Sequence, residues 1–267
     1  MRLHDDIDLW RARALHATMD LAGDGPAEGA PLPHFWHWIY FLDAKPARAL
    51  GRDGHPATGD GGFIPYFGHP RRMWAGGRLE FHQPLPIGAR AEKLLTIDNV
   101  AEKTGRSGPL AFVTLRHEIS GPGGLAVTEH QDIVYREDPA PDAPKALPKQ
   151  APTDEHRSQT AHFSTTMLFR YSALTFNGHR IHYDREYARD VEGYPGLIVH
   201  GPLIAQMLLA FAETAPGQPA KRFEFRAASP AFDFEAITLC SKDRSDGSDL
   251  WARGPDGRLI MTASVMS

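Results

Sequence analysis

The chain has 267 residues, 42% of them hydrophobic, which gives room for one large domain or two small ones around a sizeable core. A formal net charge of -4 excludes a basic field for nucleic acid or an anionic membrane, and a single cysteine excludes an internal disulfide framework. No stretch approaches the ~20 apolar residues that span a bilayer, and the acid-containing start MRLHDDIDLW is not a signal peptide, so the expected location is cytoplasmic.

Residues 5–20, DDIDLWRARALHATMD, read as an amphipathic helix with acids at its start. After a Gly/Pro-rich break comes HFWHWIYFL, expected as a buried strand or anchor, and residues 51–62, rich in Gly and Asp, are expected as a flexible loop. Prolines at 139, 141, 144, 148 and 152 block regular helix and central strand, so this stretch reads as a semi-rigid linker. The expected division is an N-terminal half 1–138, a linker 139–153 and a C-terminal half 154–267.

The halves resemble each other. Arg78-Leu79-Glu80-Phe81 is matched by Arg222-Phe223-Glu224-Phe225 at an offset of 144, and Gly121-Pro122-Gly123-Gly124 by Gly254-Pro255-Asp256-Gly257, both of the latter read as hairpin turns. Residues 202–214 carry Leu203, Ile204, Met207, Leu208 and Phe211 at helical spacing, with Pro202 at the first helical position. The same offset lands on TGDGGFIPYFGHPRR, too rich in Gly and Pro for a long helix. The fold expected is α+β, a double hot-dog in which two antiparallel sheets each wrap a helix and the first-half helix is degraded.

Chemistry gathers between 165 and 203. A helical pattern from Thr165 to Ala173 ends at Asn177-Gly178, a loop carries His179, Arg180 and His182, a short helix runs from Asp184 to Val191, and His200-Gly201 opens the long helix. A helix N-terminus presents unpaired N–H groups, so a thioester carbonyl bound at Gly201 would have its enolate charge stabilised, while a nearby histidine moves a proton.

This segment resembles the hydratase motif of MaoC-like (R)-specific enoyl-CoA hydratases, a D-x-N-P-x-H loop followed by I-x-H-G and a helix. The matching positions are Asn177, His182 and His200-Gly201. The resemblance implies that Asn177 and His182 hold the catalytic water and that the Gly201 N–H polarises the thioester carbonyl. The departure is Asn177: an amide orients water but accepts no proton, which leaves His182 as base, alone or helped by Asp184 or Tyr171. The strings RYSALTFNGHRIHYD, GLIVHGPL, RRMWAGGRLEF, GRSGPLAFV and TEHQDIVYR, spread over residues 33–230, are similar to a narrower branch, the double hot-dog mesaconyl-C4-CoA and itaconyl-CoA hydratases, related to the 3-hydroxyacyl-thioester dehydratases. That branch implies an acyl-CoA substrate, no cofactor and a homodimer, and makes the Asn form of the loop an active one.

Tyr171 and Thr175 share a helical face and either pack in the core or line the substrate channel. A dicarboxylic acyl group needs a cation, and Arg170, Arg180, Arg71 and Arg72 are the candidates, the last two equally for CoA phosphates. His200 is expected to fix the turn before the helix, the histidines to hold no metal, and Cys240 to be a core residue. The competing functions are a dehydratase of plain 3-hydroxyacyl-ACP or -CoA, a hot-dog thioesterase, and a non-catalytic acyl-CoA-binding module.

Overall fold

The two repeated strings pair with each other. In the computed structural model, which describes residues 1–57, 62–105, 108–137, 147–214 and 219–267, β2 (Arg71–Phe81) lies antiparallel to β7 (Arg222–Ala227), with Arg78 opposite Glu224, Leu79 opposite Phe223 and Glu80 opposite Arg222. Leu79 and Phe223 are equivalent in the repeat, so an approximate twofold axis passes through this pair. The remaining strands are β1 (Arg2–Asp6), β3 (Arg90–Gly105), β4 (Gly108–Gly121) and β5 (Gly124–Arg136) in the first half. In the second they are β6 (Arg157–His162), β8 (Ala236–Arg244), β9 (Gly247–Arg253) and β10 (Leu259–Met266). Their order, β1-β3-β4-β5-β2-β7-β10-β9-β8-β6, mirrors itself about the β2–β7 junction. Instead of two separate sheets there is one ten-stranded antiparallel sheet, because β2 and β7 satisfy each other's edges.

Among the described residues three α-helices accompany the sheet: α1 (Leu9–Thr18), α2 (Thr165–Leu174) and α3 (Gly201–Glu213). Helix α3 buries Leu203, Ile204, Leu208 and Phe211 against β7 to β10, and also Ala205 and Leu209. A helix apolar on nearly all sides is a core helix, and each large side chain so buried contributes roughly 1.5–3 kcal/mol. Between α1 and β2 the described residues form no α-helix; they make the 3₁₀ turns Trp36–Ile39 and Ala47–Ala49 and isolated bridges at Pro31 and between Leu50 and Pro56.

Several local expectations change. Asp5 and Asp6 lie in β1, paired with β3, and the helix starts later, with the Asp8 carboxylate accepting from Arg11 N at 2.9 Å. HFWHWIYFL is an anchor rather than a strand: Phe35 takes φ 72°, a 3₁₀ turn follows, and Phe35, Trp36, Ile39 and Tyr40 are buried. Its hold comes from afar, since Trp38 Nε1 donates to the Glu129 carboxylate at 2.9 Å and Gln206 Nε2 to the Phe35 carbonyl at 3.1 Å. Gly121–Gly124 and Gly254–Gly257 do form hairpin turns. Of the proline-rich stretch, 138–146 lie outside the described residues; beyond them, Leu259 N donates to the Lys149 carbonyl at 2.7 Å and Ala151 N to that of Gly257 at 2.9 Å. Cys240 is buried, and among the described residues no helix is long and apolar enough to cross a membrane.

Candidate active site

Helix α2 begins on Ser164, whose Oγ accepts from Met167 N at 3.1 Å. It ends in a Schellman turn: Asn177 N donates to the Ser172 carbonyl at 2.9 Å and Phe176 N to that of Ala173 at 3.3 Å. The left-handed position falls on Phe176, φ 51°, rather than on the Asn-Gly pair, and this places Asn177 at the start of the next turn. There Asn177 Oδ1 accepts from His179 N at 3.0 Å, and the chain closes into the turn Arg180–His182, with Ile181 and His182 buried. Asp184 Oδ1 caps the helical turn Tyr187–Val191 by accepting from Tyr187 N at 3.0 Å.

His182 is 6% exposed, and its Nδ1 donates to the Ile198 carbonyl at 2.8 Å, which leaves the Nε2 lone pair free. Burial, aided by the His55 imidazole, lowers its pKa to about 4, so the ring is a neutral base at ordinary pH. The ring stacks on His200, centroids 3.7 Å apart at 20°. His200 is the residue before α3 and is fully buried, with Nε2 2.8 Å from Ser172 Oγ, and burial holds its pKa well below the ordinary value. This bond ties the residue before α3 to α2, while the His200 side chain makes no cap bond to α3 itself. Tyr171 packs beside the His200 ring at 4.8 Å; its phenol is pushed well above the usual pKa by burial and, less, by Glu129. Among the described residues, neither Tyr171 Oη nor His200 Nδ1 has a hydrogen-bond partner.

Stacking on His200 brings His182 beside the N-terminus of α3. Pro202 has no N–H, so the first-turn donors there are those of Gly201 and Leu203. A Cβ on Gly201 would fall 2.7 Å from Trp74 Cε3 and 2.9 Å from Cζ3. The glycine is thus demanded by a tryptophan from β2 of the other half, a requirement invisible in the local sequence.

The first half contributes more. Of residues 51–62, expected as a flexible loop, 58–61 lie outside the described residues. Residues 51–57 are tied by Gly51 N donating to the His55 carbonyl at 2.7 Å and dock on the loop after α2, where Arg180 N donates to the Asp53 carbonyl at 2.8 Å. A Cβ on Gly54, φ 87°, would lie 2.0 Å from the Gly178 carbonyl oxygen, so only glycine allows this approach. Asp53 Oδ2 accepts from His55 Nδ1 at 3.1 Å, the His55 ring packs on His179 at 4.4 Å, and His179 lies 5.5 Å from His182. Asp53, His55 and His179 are, among the described residues, the one set of potential donors close enough together for a metal ion. His182 and His200 stand outside it.

A cavity of about 860 Å³ opens beside this loop, lined by Pro56, Ala57, Arg72 and Thr175, with Lys93 and the hydrogen-bonded pair His37–Glu129 (2.7 Å) further in. The four arginines separate clearly. Arg180 pairs with Asp184 at 2.8 Å and lies over the Tyr187 ring, Arg71 pairs with Glu192, and Arg170 is exposed on α2. Arg72 lines the cavity and makes no ion pair among the described residues. Thr175 also lines it, its Oγ1 donating to the Tyr171 carbonyl at 2.7 Å. Sequence reasoning missed Trp74, Asp53, His55 and Ser172.

A buried imidazole stands beside a helix N-terminus on a sheet built from two like halves. The family model of hydroxyacyl-thioester dehydratase type 2 matches residues 35–233, and the chain belongs to that family. It is 46% identical over 265 residues to the mesaconyl-C(4)-CoA hydratase of Chloroflexus aurantiacus, covering 99% of this chain and 94% of the relative. HtdX of Mycobacterium tuberculosis superposes with a TM-score of 0.70 at 18% identity over 99% of both chains. A conserved hypothetical protein of Mycobacterium tuberculosis described as having a double hot-dog fold gives a TM-score of 0.57 at 14% identity over 98% of this chain and 92% of its own.

Proposed function

We propose that the protein adds water across the double bond of a C5 dicarboxylic enoyl-CoA, mesaconyl-C4-CoA or itaconyl-CoA, to give citramalyl-CoA. The observation that carries this reading is His182 held with a free Nε2 against the residue that begins α3. In mesaconyl-C4-CoA, whose double bond is conjugated with the thioester, the thioester oxygen accepts from Gly201 N–H, which draws electrons from the β-carbon. Water held by His182 and the Asn177 side chain attacks that carbon as Nε2 takes its proton. The resulting enolate is protonated at the α-carbon. The double bond of itaconyl-CoA is unconjugated and would first have to move into conjugation to follow this route. All bond changes lie between substrate, water and side chains, so no cofactor is invoked.

Citramalyl-CoA carries its free carboxylate and its new hydroxyl on one carbon, so the carboxylate must be bound close to the attacking water. Arg72 suits this: it lines the cavity and its charge acts on His55 and His179, next to His182. Tyr171 and Thr175 line the acyl path, and Arg170 and Arg180 are left to the surface. Dehydration of a plain 3-hydroxyacyl thioester is the second reading, and it gives Arg72 no partner. A thioesterase would need a carboxylate at the position Asn177 occupies.

We read the stretch between α1 and β2 as the site of a lost hot-dog helix whose room became the cavity, with halves 1–138 and 154–267 around the linker. A cytoplasmic homodimer completes the proposal. The test follows thioester-conjugated absorbance near 260–280 nm with crotonyl-CoA and mesaconyl-CoA, alongside a thiol reagent. Loss of absorbance without free thiol supports hydration; thiol release contradicts it.

A further inference from the structure

The reaction moves two protons, one off the water and one onto the α-carbon, and Asn177 removes the carboxylate that would share the task with His182. The loop 51–57 supplies another arrangement of the same kind. His182 has Nδ1 tied to the Ile198 carbonyl at 2.8 Å; His55 has Nδ1 tied to Asp53 Oδ2 at 3.1 Å. Each imidazole therefore keeps an Nε2 lone pair, one ring from each half of the chain. His179 lies between them, its ring 4.4 Å from His55 and 5.5 Å from His182. Asp53 is doubly engaged, since Oδ1 also accepts from His55 N at 3.1 Å, so its carboxylate has little freedom to turn away.

Resting on the hydration reading, we propose that His55, oriented by Asp53, is the second proton-transfer group of the reaction, protonating the α-carbon while His182 takes the proton of the water. In hydration His182 Nε2 takes a proton as the water O–H bond breaks and the C–O bond forms at the β-carbon. The π electrons move to the thioester oxygen at Gly201. His182 then releases its proton to solvent. His55, which has taken a proton from solvent at Nε2, delivers it to the α-carbon as the enolate collapses and the C–H bond forms. Over the cycle both imidazoles return to neutral, and the two hydrogens and the oxygen of one water are added. The groups facing His55 and its neighbour His179 are Asp53 on the loop, Arg72 on β2 and His182 on the turn Arg180–His182. Burial and Arg72 lower the proton affinity of His55, while Asp53 raises it; burial comes first for His179 too. In this scheme His55 touches the reacting carbon, and Asp53 is a positioning residue.

The test compares the wild type with Asp53→Asn, Asp53→Glu and His55→Gln, using hydration kinetics and imidazole ¹⁵N NMR on histidine-labelled protein. The expected result is a fall in kcat of about 10²-fold for Asp53→Asn and His55→Gln with KM nearly constant, in line with the usual weight of a general acid–base group. Asp53→Glu should restore part of kcat. NMR should find His55 in the Nδ1–H tautomer in the wild type and lose that preference in Asp53→Asn, a readout that needs no turnover. Unchanged kcat in both variants, or an unchanged His55 tautomer in Asp53→Asn, overturns the proposal. So does a stoichiometric divalent metal in the purified protein that Asp53→Asn loses. A wild type that releases thiol instead of hydrating would overturn the functional reading, and the tautomer measurement would still judge the Asp53–His55 pair.

Discussion

His182 and His200 stack face to face, 3.7 Å between ring centroids and 20° between planes, although the two sit 18 positions apart on opposite sides of a helical turn. The stack joins His182 to the residue before α3, so in the proposed mechanism the geometry of proton transfer and that of carbonyl polarisation are set together. Ser172 Oγ, 2.8 Å from His200 Nε2, fixes the second ring as the Ile198 carbonyl fixes the first.

His182→Gln should keep the fold and lose about 10²- to 10⁴-fold in kcat, because the glutamine amide orients water without taking its proton. Steady-state hydration kinetics with thermal melts check this. Activity near the wild-type level would remove His182 from the mechanism.

The buried histidines make the protein acid-sensitive in a defined window. His182 is lowered to about 4 in the folded protein, against 6.5 in the unfolded chain, so between these values the unfolded state binds the extra proton. Stability therefore rises with pH through that window, is fully present above pH 6.5 and is lost as pH falls toward 4. At pH 5 the loss from His182 alone is on the order of 2 kcal/mol. Urea unfolding at pH 7 and pH 5 should show this loss, and His182→Gln should reduce the difference.

Gly201→Ala should destabilise by about 1–3 kcal/mol, because its Cβ would meet the Trp74 ring at 2.7 Å. Trp74→Leu in the same chain should recover much of that loss, so the two changes are non-additive in a double-mutant cycle. Additive losses would mean that the tryptophan is not what excludes a side chain at 201.

Arg72→Gln should raise KM for mesaconyl-C4-CoA about 10- to 100-fold, the range of a lost charged hydrogen bond, and leave crotonyl-CoA nearly unaffected. Parallel kinetics on the two substrates separate this from general damage. Equal losses on both would assign Arg72 to CoA or to the fold.

Much of the plan was legible because it is local or repeated. Leu79 and Phe223 announced the twofold through their flanking charges, and the apolar stripe of α3 and the hairpin glycines follow from residue type alone. The resemblance at Asn177, His182 and Gly201 pointed to the loop and helix that the stack of His182 on His200 joins. What stayed hidden depends on docking between distant segments. Asp53 and His55 look like loop composition until Gly54 meets Gly178, and Trp74 reads as one more strand aromatic until α3 arrives beside it. Phe176 took the left-handed turn that Asn177-Gly178 was expected to supply because Ser172 and Ala173 offer their carbonyls one residue earlier. The four arginines could be told apart only once Asp184 and Glu192 had claimed two of them.

The central claim is that water joins the β-carbon while the thioester survives. Turnover of mesaconyl-C4-CoA in H₂¹⁸O, followed by mass spectrometry of the intact CoA ester, tests it directly. One ¹⁸O in the acyl hydroxyl of an unbroken CoA thioester is the predicted result. Label in a free carboxylic acid, with CoA released, would contradict it.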